Sequence, residues 1–379
     1  FFITTYYNYN LIFVFQNLRI MKRIYNFSAG PSMLNPYVIE ATSKATIEYN
    51  DSGMSLMEMS HRSQPVVDMV AETDLLVREL LKIPENYHVL FLQGGASLQF
   101  SMIPMNLLND DQTADYTDTG VWAQKAINEA QVFGNINVAC SSKDSVYNHI
   151  PKALNQSSDA VYLHLTSNNT IYGTQWSSFP ELMNPDSFLV ADMSSDIFSR
   201  DINIVDFGLI YAGAQKNIGP AGVTLVIVRD DILGNINRKI PIMLQYQTHI
   251  AKHSMFNTPP VMAIYAVNRS LYWLKNNGGV NEIEHKNHLK TQKLYEEIER
   301  NTLFKSPVNH EDRSIMNIPF IYSKKLNEDD FLSFCDKRGL TTLKGHRSVG
   351  GFRASIYNAM PESGVNALIK AMQDFEKEH

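Results

Sequence analysis

Short apolar runs alternate with helix-like stretches along most of the chain. From Ser63, a predicted N-cap, apolar residues recur at helical spacing as far as Leu81. The run YHVLFL (87–92) has the pattern of a buried strand, and QGGAS separates it from the helix-like LQFSMIPMNLL. Further strand patterns are INVAC, AVYLHL, SFLVAD, LIYAG and VTLVIV, with the helical pattern VWAQKAINEAQV among them. Buried strands that alternate with helices predict an α/β fold with a mostly parallel sheet.

The last third of the chain has a different pattern. Two helical stretches, 261–275 and 281–300, flank the turn NNGG. A strand (MNIPFIY), a helix from about Glu328, two strands (LTTL and FRASI) and a helix from Glu362 follow. We therefore expect a large domain over residues 36–280, a small α+β domain over 281–379, and an N-terminal segment, 21–35, that joins the small domain.

Composition and charge narrow the class of protein. The 379 residues are 44% hydrophobic and 19% charged, with a net charge of −6. This acidity argues against a nucleic-acid surface, and no apolar run approaches the roughly 20 residues that a membrane-spanning helix needs. Cys140 and Cys335 belong to no CxxC motif, which favours reduced thiols in a cytosolic protein. We expect a cytoplasmic protein without nucleic-acid or membrane partners, and the histidine spacing predicts no metal site.

The first 20 residues, FFITTYYNYNLIFVFQNLRI, do not fit a signal peptide. No basic region precedes LIFVF, and no small-residue cleavage site follows it. We expect Met21 to be the biological start and residues 1–20 to be a non-native or disordered extension. A genuine docking extension is the alternative.

One lysine stands in a run of small residues, YAGAQKNIGPAG (211–222). Lys216 follows an apolar strand, so its amine is expected at a strand end, where α/β proteins place ligands. Asp192 ends another apolar strand and is either a helix cap or a buried charge that needs a partner. The nitrogen of pyridoxal phosphate (PLP) is one such partner, and PLP enzymes need a lysine as well. The alternative for Lys216 is a solvated surface lysine.

Three further stretches are candidates for ligand contacts. QGGAS is followed by a helix start whose free backbone N–H groups suit a phosphate, although it is no Walker A loop and a plain connection is the alternative. Trp122 follows Gly120 at a helix start and could stack on a flat ring or belong to the core. Basic residues occur in SHRS and in KGHRSVGGFRAS, where an anion pocket and a solvated edge are both open.

Longer motifs carry a resemblance to a known family. NFSAGPSML, EMSHRS, GGASLQF, TADYTDTGVWA, VADMSSDIFSR, YAGAQKNIGPAGVTLVIVR, MFNTPP, LKNNGG and KGHRSVGGFRASIYNAMP resemble the phosphoserine aminotransferases, in the family's order from about Asn26 to Pro361. The resemblance implies fold type I of the PLP-dependent transferases. That fold has a large domain with a mostly parallel sheet of seven strands, and a smaller α+β C-terminal domain.

The resemblance also assigns roles to individual residues. It implies that Lys216 bonds to the cofactor aldehyde, that Asp192 pairs with the pyridinium nitrogen and that Trp122 stacks on the ring. The other implied cofactor contacts are Ala96, Ser97, Thr170 and Gln215, with Asn257 and Thr258 reaching the cofactor phosphate of a neighbouring subunit. The implied substrate contacts are Arg353 for the α-carboxylate, and His61, Arg62, His346 and Arg347 for the distal phosphate or carboxylate. Some relatives carry arginine at the position of Ser97, so the other cations are expected to contribute more here.

The implied activity is amino transfer from L-glutamate to 3-phosphohydroxypyruvate, by a homodimer with shared active sites. Formation of 4-phosphohydroxythreonine in pyridoxine biosynthesis is a further expected use. Alternatives are a serine–glyoxylate type aminotransferase, a cysteine desulfurase and a catalytically inactive binding protein. A desulfurase needs a mobile catalytic cysteine, and neither Cys140 nor Cys335 lies in a Gly-rich loop near these motifs.

Overall fold

The structure is a computed structural model that describes residues 23–379. The expectations for residues 1–20 and for Met21 fall outside this range. The strands are β1 (Tyr25–Asn26), β2 (Tyr87–Leu92), β3 (Thr113–Asp118), β4 (Asn135–Ser141), β5 (Tyr162–Thr166), β6 (Phe188–Asp192), β7 (Phe207–Gly213), β8 (Thr224–Arg229), β9 (Phe304–Lys305), β10 (Asn317–Tyr322), β11 (Leu340–Thr341) and β12 (Phe352–Ser355). The helices are α1 (Pro36–Ile47), α2 (Gln64–Leu81), α3 (Gly95–Leu107), α4 (Val121–Ala130), α5 (Tyr246–Ile250), α6 (Val261–Asn276), α7 (Gly279–Arg300), α8 (Glu328–Asp336) and α9 (Glu362–Glu378).

A seven-stranded sheet lies at the centre of the larger part of the molecule. Its spatial order is β2-β8-β7-β6-β5-β3-β4. β8 runs antiparallel to both of its neighbours, and the other pairings in the sheet are parallel. The predicted α/β fold with a mostly parallel sheet is therefore confirmed.

Both faces of this sheet are buried, which explains why its strands are continuous apolar runs. In β6, Phe188 and Val190 pack into one apolar layer, whereas Leu189 and Ala191 pack into the other. The first layer includes residues of α3 and α4, and the second includes residues of α2 and α6. α2 begins after Ser63 as predicted, but the Ser63 side chain makes no capping hydrogen bond.

A smaller α+β part follows. β10 pairs antiparallel with β12 and with β9, and β1 pairs parallel with β11. Its core is rich in phenylalanine from strands and helices, including Phe304, Phe320, Phe331, Phe352 and Phe375. The predicted order of strand, helix, strand, strand and helix is confirmed by β10, α8, β11, β12 and α9.

One helix contributes to both cores. In α7, Val280 and Ile283 pack into a core layer of the large sheet, whereas Leu294 and Ile298 pack into the core of the smaller part. Phe27, from the N-terminal segment, also lies in the smaller core. The domain boundaries after residues 35 and 280 stay predictions.

Strand direction brings the candidate residues to one edge of the large sheet. β7, β6, β5 and β3 are successive parallel neighbours, so their carboxyl ends meet. Trp122 follows β3, Thr170 follows β5, Asp192 ends β6 and Lys216 follows β7. Across residues 23–379, no helix combines the length and the apolar character that crossing a membrane requires.

Candidate active site

Lys216 lies on a tight turn after β7. The turn is closed by a hydrogen bond from the backbone N–H of Gly219 to the carbonyl of Ala214, at 2.9 Å. The amine of Lys216 donates to the hydroxyl of Thr170 at 2.7 Å and lies 5.7 Å from the ring centroid of Trp122. Burial lowers the pKa of the Lys216 amine, although the nearby Asp192 carboxylate opposes this effect. A lysine in this setting is a candidate base or nucleophile rather than a solvated surface cation.

Asp192 is a buried carboxylate, 5% exposed, and it caps no helix. Its Oδ1 accepts hydrogen bonds from the backbone N–H of Ser194 at 2.9 Å and from the Ser194 hydroxyl at 2.6 Å. No residue between 23 and 379 donates a hydrogen bond to Oδ2. Burial raises the pKa of Asp192, and the charge of Lys216 opposes the rise. The free oxygen is suited to a cationic N–H donor.

Trp122 and Thr170 both lie beside the amine of Lys216. The ammonium group of Lys125 lies over the Trp122 ring, 4.5 Å from its centroid. The indole Nε1 of Trp122 is buried and has no hydrogen-bond partner among the described residues. Thr170 is itself fixed from the other side, because its carbonyl accepts a hydrogen bond from the Arg353 guanidinium at 3.2 Å.

The start of α3 supplies unpaired backbone donors. Gly94 (φ 92°) and Gly95 (φ 67°) have positive φ angles, and the helix has no side-chain N-cap. The N–H groups of Gly95, Ala96 and Ser97 therefore lack partners within the helix and point toward the positive end of its dipole. An anion fits this helix start.

Asn257 and Thr258 lie beside that helix start in their own chain. The side-chain amide of Asn257 donates to the side-chain carbonyl of Gln93 at 2.9 Å, and Gln93 donates to the Thr258 carbonyl at 3.3 Å. Gln93 directly precedes Gly94. Their predicted contact with a neighbouring subunit stays a prediction.

Basic residues of the smaller part approach the site from β12 and the loop before it. Burial lowers the pKa of Arg353, whose Nε is buried without a partner among residues 23–379. Burial also lowers the pKa of His346, and the positive charges of Arg353, Arg347 and Lys125 lower it further. The structure thus brings residues of KGHR and FRAS together, near Lys125, which was not among the predicted site residues.

His61 and Arg62 are not joined to this cluster within one chain. Both residues lie in the loop before α2, and Arg62 is exposed. The Arg62 side chain forms no hydrogen bond or ion pair with the described residues, and the Nε2 atom of His61 is buried without a partner among them. Their role in substrate binding stays a prediction.

The N-terminal segment packs directly on the Lys216 turn, and this contact was not predicted from the sequence. Ser32 donates its backbone N–H to the Gln215 carbonyl at 2.9 Å and its hydroxyl to the Lys216 carbonyl. A Cβ added to Gly30 (φ 151°) would lie 3.3 Å from Cγ of Lys216. The sequence signal for this segment was the motif NFSAGPSML, which by itself did not indicate where the segment lies in the fold.

A second contact on the turn comes from the segment after β12. The backbone N–H of Asn358 donates to the side chain of Asn217 at 3.0 Å, and the Asn358 side chain donates to the Phe198 carbonyl at 2.8 Å. The hydroxyl of Tyr357 donates to the carbonyl of Ala29 at 2.7 Å. The Lys216 turn is therefore held on two sides by backbone from distant parts of the chain.

These features fit the expected cofactor, PLP, part by part. The free oxygen of Asp192 suits a protonated ring nitrogen, the Trp122 face suits a flat ring, and the start of α3 suits a phosphate. Lys216 supplies the amine that such a cofactor binds. The buried, unpartnered Nε1 of Trp122 and Nε of Arg353 also indicate polar groups that a ligand would satisfy.

Comparison with known proteins gives consistent matches along nearly the whole chain. The sequence model of the aminotransferase class-V family matches residues 24–368. Phosphoserine aminotransferase from Azobacteroides pseudotrichonymphae is 53% identical over 357 residues, which are 94% of this chain and 98% of that protein.

Solved structures agree with this match. Phosphoserine aminotransferase from Bacillus circulans subsp. alkalophilus superposes with a TM-score of 0.91 at 44% identity, covering 94% of this chain and 99% of that one. The PLP-bound phosphoserine aminotransferase from Trichomonas vaginalis superposes with a TM-score of 0.88 at 38% identity, covering 93% of this chain and 100% of that one.

Proposed function

Since the chain belongs to the class-V aminotransferases, and among them to the phosphoserine aminotransferases, we propose that it transfers the amino group of L-glutamate to 3-phosphohydroxypyruvate. The products are 2-oxoglutarate and O-phospho-L-serine, a step of serine biosynthesis. One observation carries the proposal to this site: the amine of Lys216 donates to the Thr170 hydroxyl, lies 5.7 Å from the Trp122 ring centroid and is influenced by the charge of the buried Asp192 carboxylate.

The enzyme is PLP-dependent, and the residues that would hold PLP are those whose geometry fits it. Lys216 would bind it covalently, Asp192 would face its ring nitrogen and Trp122 would cover its ring. The remaining proposed contacts are Ala96, Ser97, Thr170, Gln215, Asn257 and Thr258. Bound PLP supplies a carbonyl that takes up amino groups and an electron-poor ring that makes the neighbouring α-proton of an amino acid acidic.

Lys216 is the proposed base for that proton. Because burial lowers its pKa, more of the amine is neutral at a given pH than for an exposed lysine. A neutral amine accepts the proton from the α-carbon of glutamate and later returns one to the new amino acid. The hydroxyl of Thr170 holds the amine in place at 2.7 Å when the amine is not engaged.

Two groups of N–H donors would orient the substrates. Arg353, already fixed against the Thr170 carbonyl, is suited to bind the α-carboxylate that glutamate and the keto acid share. His346 and Arg347, together with His61 and Arg62, would receive the distal carboxylate of glutamate or the phosphate of the keto acid. One basic pocket can serve both anions, since each accepts the same N–H donors.

A homodimer completes the proposal. Asn257 and Thr258 are near the surface beside α3, and Arg62 is exposed without a partner among the described residues, so a second copy of the chain could use them. Light scattering coupled to size exclusion should give twice the 43.0 kDa chain mass, and a monomeric holoenzyme with full activity would contradict the shared site. We also propose a cytoplasmic location, in keeping with two unpaired cysteines.

The activity is tested by incubating the purified protein with PLP, glutamate and one phosphorylated keto acid, and following 2-oxoglutarate. The keto acids are 3-phosphohydroxypyruvate, the keto precursor of 4-phosphohydroxythreonine and, as a phosphate-free control, glyoxylate. Turnover of the phosphorylated acids well above glyoxylate supports the proposal, and a preference for glyoxylate refutes it. Borohydride reduction and peptide mapping should find the pyridoxyl mass on Lys216, and its occurrence on another lysine would contradict the assigned site.

A further inference from the structure

The loop 345–351 carries two of the proposed substrate-binding residues, His346 and Arg347. It is the tip of a hairpin whose base is a bridge between Lys344 and Phe352. The loop is closed by hydrogen bonds from the N–H of Gly345 to the Gly351 carbonyl at 2.8 Å, and from the N–H groups of Val349 and Gly350 to the His346 carbonyl at 2.8 and 2.9 Å. The tip is thus a compact unit that is joined to the rest of the chain at its base.

Glu328, outside the loop, holds one end of it. Its Oε1 accepts a hydrogen bond from the backbone N–H of Gly351 at 2.7 Å. Within residues 23–379, no other side chain from outside the loop hydrogen-bonds to it. A side chain is excluded at Gly351, because an added Cβ would lie 2.7 Å from the Phe320 carbonyl. A charged acceptor on a backbone N–H is among the stronger hydrogen bonds of a protein.

A second contact of the loop is apolar. Val349 packs against the cluster of Tyr147, Ile171 and Tyr172, against which Trp122 also packs. The loop therefore contacts the first turn of α8 through Glu328 and the Tyr147 cluster through Val349. Gly351 is the last residue of the loop, so its hydrogen bond to Glu328 restrains one end of the segment that carries His346 and Arg347.

We propose that Glu328 is a positioning residue for the anion pocket: its hydrogen bond to Gly351 holds the loop 345–351 where His346 and Arg347 meet the distal anion of the substrate. This inference rests on the proposed function. Glu328 itself contacts neither substrate nor cofactor, and it acts through the backbone of the loop.

The charge of Glu328 by itself predicts the opposite effect on substrate binding, so the two explanations can be distinguished by experiment. A carboxylate bonded to the loop that carries Arg347 weakens the attraction of that loop for a phosphate, so removing its charge should tighten substrate binding. If Glu328 instead holds the loop in place, removing its side chain should weaken substrate binding. The charge and the length of the side chain can be tested separately, since Gln keeps the oxygen acceptor without the charge, and Asp keeps the charge but is one methylene shorter.

The experiment compares Glu328→Ala, Glu328→Asp and Glu328→Gln with the wild type in steady-state kinetics. We expect KM for 3-phosphohydroxypyruvate to rise about fivefold in the Ala and Asp variants, the size of one lost hydrogen bond, with kcat changed less than about twofold. In Glu328→Gln, KM should stay the same or fall. Asp330→Ala, which removes a charge from the same first turn of α8, should leave KM unchanged.

Hydrogen exchange gives a second readout that needs neither substrate nor cofactor. The amide of Gly351 should exchange much faster in Glu328→Ala and Glu328→Asp, only slightly faster in Glu328→Gln, whose acceptor is neutral, and at the wild-type rate in Asp330→Ala. Unchanged KM in the Ala and Asp variants, or unchanged exchange at Gly351, overturns the inference. If the wild type does not use the keto acid, the proposed function fails, and the exchange comparison still decides whether Glu328 holds the loop.

Discussion

Lys290 offers the most quantitative test of how the fold supports the site. This lysine of α7 is 4% exposed, and its ammonium group donates to the carbonyls of Ile356, Tyr357 and Met360 at 3.3, 3.1 and 3.1 Å. No carboxylate forms an ion pair with it among residues 23–379. The segment that it holds includes Asn358, which hydrogen-bonds to Asn217 beside Lys216.

Burial lowers the pKa of Lys290 from 10.5 to about 7. Between these two values the unfolded chain binds more protons than the folded protein, so the free energy of unfolding should rise with pH. Linkage with these pKa values gives an increase of about 2 kcal/mol between pH 7 and pH 9 from this group alone. Below pH 7 both states are protonated, and the contribution no longer changes.

The assay is chemical denaturation at several pH values for the wild type and Lys290→Met, which removes the titrating group and keeps most of the volume. The difference in unfolding free energy, wild type minus variant, should grow by that amount from pH 7 to pH 9. Lys293→Met is the matched control, because Lys293 lies on the same helix, is exposed and pairs with Glu362. A difference that stays constant with pH, or one equally large in the control, would refute the argument.

Three further predictions concern the site. Lys216→Ala should reduce turnover to the background of the assay while PLP still binds, as measured by equilibrium dialysis; turnover at the wild-type rate would exclude Lys216 as the base. Asp192→Asn should lower kcat about 10²–10³-fold, the loss typical of one preorganised electrostatic group, and a loss below tenfold would argue against its pairing with the cofactor ring. Arg62→Ala and Arg347→Ala should each raise KM for 3-phosphohydroxypyruvate about tenfold, as for one charge-assisted contact, and an equal loss of PLP affinity would contradict their role.

The helices and strands that the sequence predicted correctly are those with a local signal. β2 has the bounds of the run YHVLFL, and α2 follows the helical spacing after Ser63, because both patterns report only on neighbours along the chain. β3 was not predicted, since its sequence TADYTD is polar. Its Asp115 is satisfied by Ser157, which donates from its backbone N–H and from its hydroxyl, both at 2.8 Å, from 42 residues away.

The same limit applies to the residues that support the site. Glu328 and Lys290 lie in ordinary polar stretches of helix, and nothing in their spacing distinguishes them from solvated residues. Their roles depend on backbone groups at Gly351 and on the segment 356–360. Such partners become visible only when the chain is folded.

By itself, the sequence determined the types of most secondary elements, the α/β class and, through long motifs, the resemblance from which the site residues are proposed. Only the tertiary structure decided which strand ends meet, that Asp192 keeps a free oxygen and that the pKa of Lys216 is lowered. The physical reason is that burial, electrostatic shifts and hydrogen-bond partners all depend on atoms from distant parts of the chain. Local periodicity reports only on neighbours in sequence and contains no information on those atoms.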